Sequence, residues 1–218
     1  MTAAVRFYFY QFFVYNSMRI ILTKGIKMKK LMTLVMLFSL SLSVNSAQYS
    51  QLLEKSNPSP MQEFTRWQLL AKEQNTPLLE VGALATVDDQ QQPHQRFMYI
   101  KKVSPEGFIF ETHASTNKAK QFVLNKKASV VFIWPFGTFD LQVRANGIIE
   151  QKGLVNPKST KLLDKDFYEY VLKPDFVQFS ISNLDADVVN NDYVTYTSQG
   201  HGQWEIKHTN YQYPHHKS

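Results

Sequence analysis

The chain of 218 residues has 24 Lys and Arg against 18 Asp and Glu, and no cysteine. Without cysteine there is no disulfide framework, no thiolate nucleophile and no thiolate metal site. Six of the basic residues (Arg6, Arg19, Lys24, Lys27, Lys29 and Lys30) fall in the first 47 positions, which hold no acidic residue, so the other 18 bases and 18 acids cancel. The basic balance therefore belongs to the leader, and the usual inference from a basic chain to nucleic acid fails.

Residues 1–27 precede a better start methionine and show no packed-domain pattern; they read as upstream sequence from a wrongly chosen start. Residues 28–47 read as a secretory signal peptide. Met28-Lys29-Lys30 is the charged region, Leu31–Val44 the apolar stretch, and Asn45-Ser46-Ala47 the small-residue exit. A periplasmic or secreted protein follows, touching a membrane only if that signal stays uncleaved. Residues 48–58 read as a flexible arm, 59–212 as a single domain and 213–218 as a tail.

Ser59-Pro60-Met61-Gln62 signals a helix start, with Ser capping, Pro in the first turn and Gln closing a capping box. Met61, Phe64, Trp67, Leu70 and Ala71 form its apolar stripe, and Asn75-Thr76-Pro77 ends it. Leu79–Asp88 reads as a strand in which Gly82 and Ala83 allow close approach, followed by a polar hairpin loop to Pro93. Gln95–Val103 reads as the next strand, Ser104–Gly107 as a turn, and Phe108–Phe110 as its return. Lys118–Asn125 reads as a two-turn helix. Ala128–Trp134 and Asp140–Glu150 make a hairpin, with Phe132, Trp134 and Phe136 as core or dimer interface and Asn146-Gly147 as a bulge. Asn156-Pro157 opens an expected helix through Tyr170, with Leu162, Leu163, Phe167, Tyr170 and Val171 inside. Three short strands follow, at Val177–Ser182, Val188–Thr197 and Gln203–Thr209.

Chemistry gathers between residues 95 and 142. Arg96 and Lys101 lie five apart, on opposite faces of an ideal strand, so only a bulge or strong twist lets both reach one ligand. Thr112, Ser115, Thr116 and Lys118 stand at a helix entrance, where free amides favour an anion. A phosphate cradle and a solvated turn are the two readings of that cluster. The histidines His201, His208, His215 and His216 have no carboxylate at ligand spacing and read as surface residues, with no metal site.

In LATVDDQQQPHQRFMYIK, THASTNKAKQF and the Gln142-Val143-Arg144 strand, the sequence resembles the pyridoxamine 5′-phosphate oxidase family, the flavin split barrels, from about Ser59 to Gly153. The resemblance implies a mainly β domain with flanking helices, a six-stranded antiparallel split β-barrel. It also implies a homodimer with flavin mononucleotide (FMN) across the interface. It assigns Arg96 and Lys118 to the phosphate, with Thr112 and Thr116 as hydroxyl partners. Phe97, Met98 and Tyr99 would lie along the ring, Lys101 near its reactive edge, and Gln142 would hydrogen-bond the cofactor. Glu111 stands where an aromatic is usual and Asn117 where an arginine is usual. The family's substrate half is not matched: residues 153–174 hold no arginine, and Val188–Asp192 replaces the terminal Arg-x-His. The resemblance thus implies an FMN-binding oxidoreductase-like protein with a small-molecule substrate. Alternatives are a non-catalytic flavin or haem binder in the periplasm, with His113 or the terminal histidines on iron, and a barrel serving only in interaction.

Overall fold

The computed structural model describes Leu53 and residues 56–136, 139–156, 166–183 and 190–212. The expected leader, residues 157–165 of the helix expected to open at Asn156-Pro157 and the tail lie outside these residues. The described chain falls within one compact unit, residues 52–218. It runs α1 (Pro60–Glu73), β1 (Val81–Val87), β2 (Pro93–Tyr99), β3 (Lys102–Ser104), β4 (Gly107–His113), α2 (Asn117–Leu124), β5 (Lys127–Phe136), β6 (Phe139–Leu154), β7 (Phe167–Asn183), β8 (Asn190–Gly200) and β9 (Gln203–Gln212).

All pairings are antiparallel, in the order β2-β1-β5-β6-β7-β4-β3. The two ends of that path are consecutive in the chain. The Ile100 amide still donates to Glu80 O of the β1 side, whereas the Lys101 amide donates to Ile109 O of β4. The expected strand Gln95–Val103 is therefore two strands, β2 and β3, which change partner across two residues. Counted as halves of one bent strand, they give the six strands of a split barrel whose ladder is not closed. β8 pairs with the second half of β7 and with β9, extending the sheet.

The bend at Asn146-Gly147 appears as a register shift against β7. A Cβ at Gly147 would lie 2.0 Å from Lys173 O, so only glycine lets the strands approach there. A Cβ at Gly82 would lie 2.7 Å from Val130 Cγ2, which gives the close approach expected of that position its cause.

α1 follows its stripe: Met61, Phe64, Trp67 and Ala71 are buried. Phe64 packs edge-on against Phe108 (4.9 Å), Phe132 (4.8 Å) and Trp134 (5.2 Å), and Trp67 against Phe179 (5.1 Å). Phe132 and Trp134 thus belong to the core. The exposed large apolar side chains include Phe97, Tyr99 and Ile133, together on the outer side of β2 and β5.

Two local expectations are corrected. Ser59 is the N-cap residue of α1 but makes no side-chain cap bond. The carboxylate of Glu63, one residue past Gln62, reaches back to Asn57 instead. Phe167–Tyr170, expected to close a helix, begin β7, because pairing with β4 places Tyr170 against Phe110 (5.8 Å) and Phe122 (5.3 Å). That contact is non-local, and helical periodicity cannot register it.

Candidate functional site: a cationic cleft at the start of the second helix

Thr116 adopts an extended conformation before α2, and its Oγ1 accepts from Ala119 N at 3.4 Å, the bond that makes Ser and Thr preferred N-caps. The same hydroxyl donates to His113 O (2.9 Å) and lies 3.2 Å from Thr112 Oγ1, so the turn 113–116 is tied to the end of β4. Phe122 seats the helix against Phe110 and Tyr170. Gln121, buried on the same helix, joins it to β1, with Thr86 Oγ1 donating to Gln121 Oε1 at 2.6 Å.

Arg96 completes that junction. It faces the same side of the sheet as its cross-strand partner Leu84. Its guanidinium donates to Thr86 Oγ1 (2.5 Å), Gln121 Oε1 (3.0 Å) and Leu84 O (3.4 Å). All three acceptors are neutral. Arg96 and Lys118, with His94, Gln95, Ser115, Thr116, Asn117 and Gln121, line an open cleft of about 520 Å³. Among the described residues neither cation has a carboxylate partner. Burial holds the Arg96 guanidinium below its ordinary range, and burial together with the Arg96 charge does the same to Lys118. Two half-buried like charges facing one cleft are an arrangement that a bound anion would relieve.

The structure therefore brings together four of the expected residues, Arg96, Thr116, Asn117 and Lys118, with Thr112 immediately behind them. Met98 lies on the Arg96 face of β2 but outside the cleft lining. Phe97, 81% exposed, and Tyr99 lie on the opposite face. Lys101 is ion-paired with Glu111, the residue that stands in place of the usual aromatic. Gln142 lies on β6 between Ile133 and Ser180 and is not among the residues that line the cleft. His94 and Gln121 were not singled out in the sequence. The signals were present, since His94 is two residues before Arg96 on one strand and Gln121 three after Lys118 on one helix. Among the described residues no group of three His, Asp or Glu could hold a metal ion.

Residues 72–172 match the family described as pyridoxamine 5′-phosphate oxidase. The match covers all of the cleft. These residues are similar to the pyridoxamine 5′-phosphate oxidase-like family. A pyridoxine/pyridoxamine 5′-phosphate oxidase from Hydrogenovibrio crunogenus is 29% identical over 61% of this chain and 57% of its own length. One from Shewanella denitrificans is 40% identical over 35% of this chain and 36% of its own. The chain thus spans from about a third to just over half the length of these curated relatives. In structure it is similar to PhzG of Burkholderia lata, at TM-score 0.61 and 16% identity, covering 72% of this chain and 95% of that one. It is also similar to a pyridoxamine 5′-phosphate oxidase-related, FMN-binding protein of Nostoc punctiforme, at TM-score 0.52 and 14% identity, covering 69% and 97%. At these identities the two structures bear on the fold alone: that of the pyridoxamine 5′-phosphate oxidase-like split barrels.

Proposed function

We propose that the chain binds flavin mononucleotide through the cleft at α2 and acts as an FMN-binding, oxidoreductase-like member of its family. The observation that carries this reading is the pair Arg96 and Lys118, half-buried, without carboxylate partners among the described residues, and flanked by the Ser115 and Thr116 hydroxyls and the first amides of α2. A phosphate monoester is the ligand group that suits such a set, because it accepts from fixed cations and oriented amides together. When bound, a flavin supplies hydride and electron transfer.

The residues here bind and orient. Arg96, anchored by Thr86 and Gln121, would fix the phosphate laterally; Lys118 adds a point charge; Thr116 holds the helix start in place. Lys101 is neutralised by Glu111, so at the expected ring edge the chain offers an ion pair rather than a free cation. Phe97 and Tyr99 occupy the outer face, exposed, with Ile133 on the same side of β5. A second copy of the chain is the proposed cover for that apolar face, and its site would then draw on two protomers. The substrate is a small molecule other than a phosphate gripped by arginines, since residues 153–174 contain none. Export to the periplasm is part of the same proposal, on the strength of residues 28–47.

Titrating FMN into wild type and Arg96→Ala tests the reading. The variant should bind about ten- to a hundredfold more weakly, the size of a charge-assisted contact. Equal affinity in both proteins would remove the site. Light scattering at micromolar concentration should give the mass of two chains, and oxygen consumption with pyridoxamine 5′-phosphate should stay near background.

A further inference from the structure

The hairpin between β1 and β2 is built around one carboxylate. Asp88 accepts from Gln90 N (3.0 Å) and Gln92 N (2.8 Å), and its second oxygen lies 2.7 Å from His94 Nε2. The turn amides fix Asp88, and Asp88 fixes the imidazole. His94 is among the residues that line the same cleft as Arg96 and Lys118, and it stands two residues before Arg96 on the same face of β2. The charged groups around it are Asp88 from the turn, Arg96 from its own strand and Lys118 from α2, while β1 presents the uncharged Thr86 opposite. No carboxylate is among the cleft-lining residues, and among the described residues Asp88 is the acid paired with His94.

We propose that His94 is a third, proton-gated anion partner of the cleft, so that binding of a dianion is coupled to proton uptake by the imidazole. This rests on the cleft being an anion site, and it adds a regulation to that site. With the ring neutral, the Asp88 contact persists but the cleft holds two positive charges. With the ring protonated, Asp88 on one side and the bound anion on the other both stabilise the imidazolium, and the cleft holds three. The proton comes from solvent and no other bond changes. Histidine is the side chain that makes this exchange between about pH 5 and 8. The Asp88 carboxyl is held below the usual carboxylate range, chiefly by the hydrogen bond to His94, so it stays charged throughout that window.

A phosphate monoester is a poor probe of this coupling, because it loses its own second charge near pH 6 and would mask the effect. Sulfate keeps two charges over the whole range. Sulfate titrations followed by backbone amide shifts, at pH 5.5 and 8.5, should show about three- to tenfold tighter binding at the lower pH in wild type, as for one added charge-assisted contact. His94→Gln should bind sulfate at both pH values with the weaker affinity and no slope. Asp88→Asn should keep binding but show a smaller gain at pH 5.5, since the turn no longer holds the ring with a carboxylate. Equal slopes in wild type and His94→Gln, or no slope in either, would overturn the role of His94. If FMN binding still depends on Arg96, that outcome leaves the flavin reading intact. Absence of sulfate binding at any pH would overturn both. Because His94 is exposed, the Gln variant should keep the wild-type amide spectrum away from the cleft.

Discussion

The two described helices each have a charged site where they meet the sheet, and the two sites are finished differently. On α1, Glu63 is almost fully buried, and its carboxylate accepts from the Asn57 amide, Asn57 Nδ2, Arg66 Nε and Trp67 Nε1, at 2.7–3.1 Å, with a further contact to the second guanidinium nitrogen of Arg66. Tyr196 completes the knot by donating to Asn57 O at 2.8 Å. At the start of α2, Arg96 of β2 has three neutral acceptors, and among the described residues Lys118 has no acidic partner. A buried charge with every lone pair used is a rivet: it fixes where residues 56–58 and α1 meet β8. Cations held near one another without a counter-charge among the described residues do nothing comparable for stability, and in the proposed reading they serve to hold an anion.

Removing the rivet should give the largest effect. Glu63→Ala strands the buried Trp67 N–H and the Asn57 donors and should cost about 2–4 kcal/mol in chemical denaturation, at about 1–3 kcal/mol per unmade buried bond. Its FMN affinity should not change; a parallel loss of affinity would show that the two sites are not independent. Lys118→Met sharpens the other side of the comparison. It should weaken FMN about tenfold, the loss of one charge-assisted contact, while leaving stability unchanged or higher, since the repulsion with Arg96 disappears. A large fall in melting temperature would instead make Lys118 structural. Thr116→Ala removes a neutral cap and should cost about 1 kcal/mol of stability, with a smaller change in affinity than Lys118→Met. The smallest effect is expected at Asp192, whose Oδ1 is buried without a partner and whose carboxyl is pushed up by burial. A carboxyl whose folded value lies above its unfolded one penalises the ionised folded state, fully above the folded value and not at all below the unfolded one. Asp192→Asn should therefore stabilise the protein at pH 7, and the gain should shrink as the pH falls toward 4. A pH-independent difference would refute that account.

Much of this was legible in the sequence where contacts are local. The stripe of α1, the β5–β6 hairpin, the bulge at Gly147 and the two-turn α2 follow from spacing and turn chemistry. Arg96, Thr116 and Lys118 could be named because they sit in a strand and a helix start whose patterns are short. What could not be read depends on partners distant in the chain. Tyr170 is a strand residue because β4 meets it, although its neighbours carry helical spacing. Lys101 looked available for a ligand until β4 placed Glu111 beside it. The resemblance places Phe97 and Tyr99 along the flavin ring, and the alternation of β2 that turns Arg96 toward α2 sets these two rings on the opposite face.

The division of β7 between two neighbours has a kinetic consequence. One edge of this strand pairs with β4 over Phe167–Leu172 and with β8 over Phe176–Ser182, while its other edge runs along β6. The hairpins β1–β2, β5–β6 and β8–β9 close short loops, but the β4–β7 ladder joins segments separated by both β5 and β6. Loop-closure entropy opposes that ladder until the intervening hairpin has formed. Folding should then be slow for a domain of this size, with hairpin amides protected from exchange before those of Phe108–Thr112. The cleft borrows its helix from the Phe110–Phe122–Tyr170 contact, so it should be among the last features of the protein to exist, and a chain arrested before β7 docks would hold its core hairpins but no anion site.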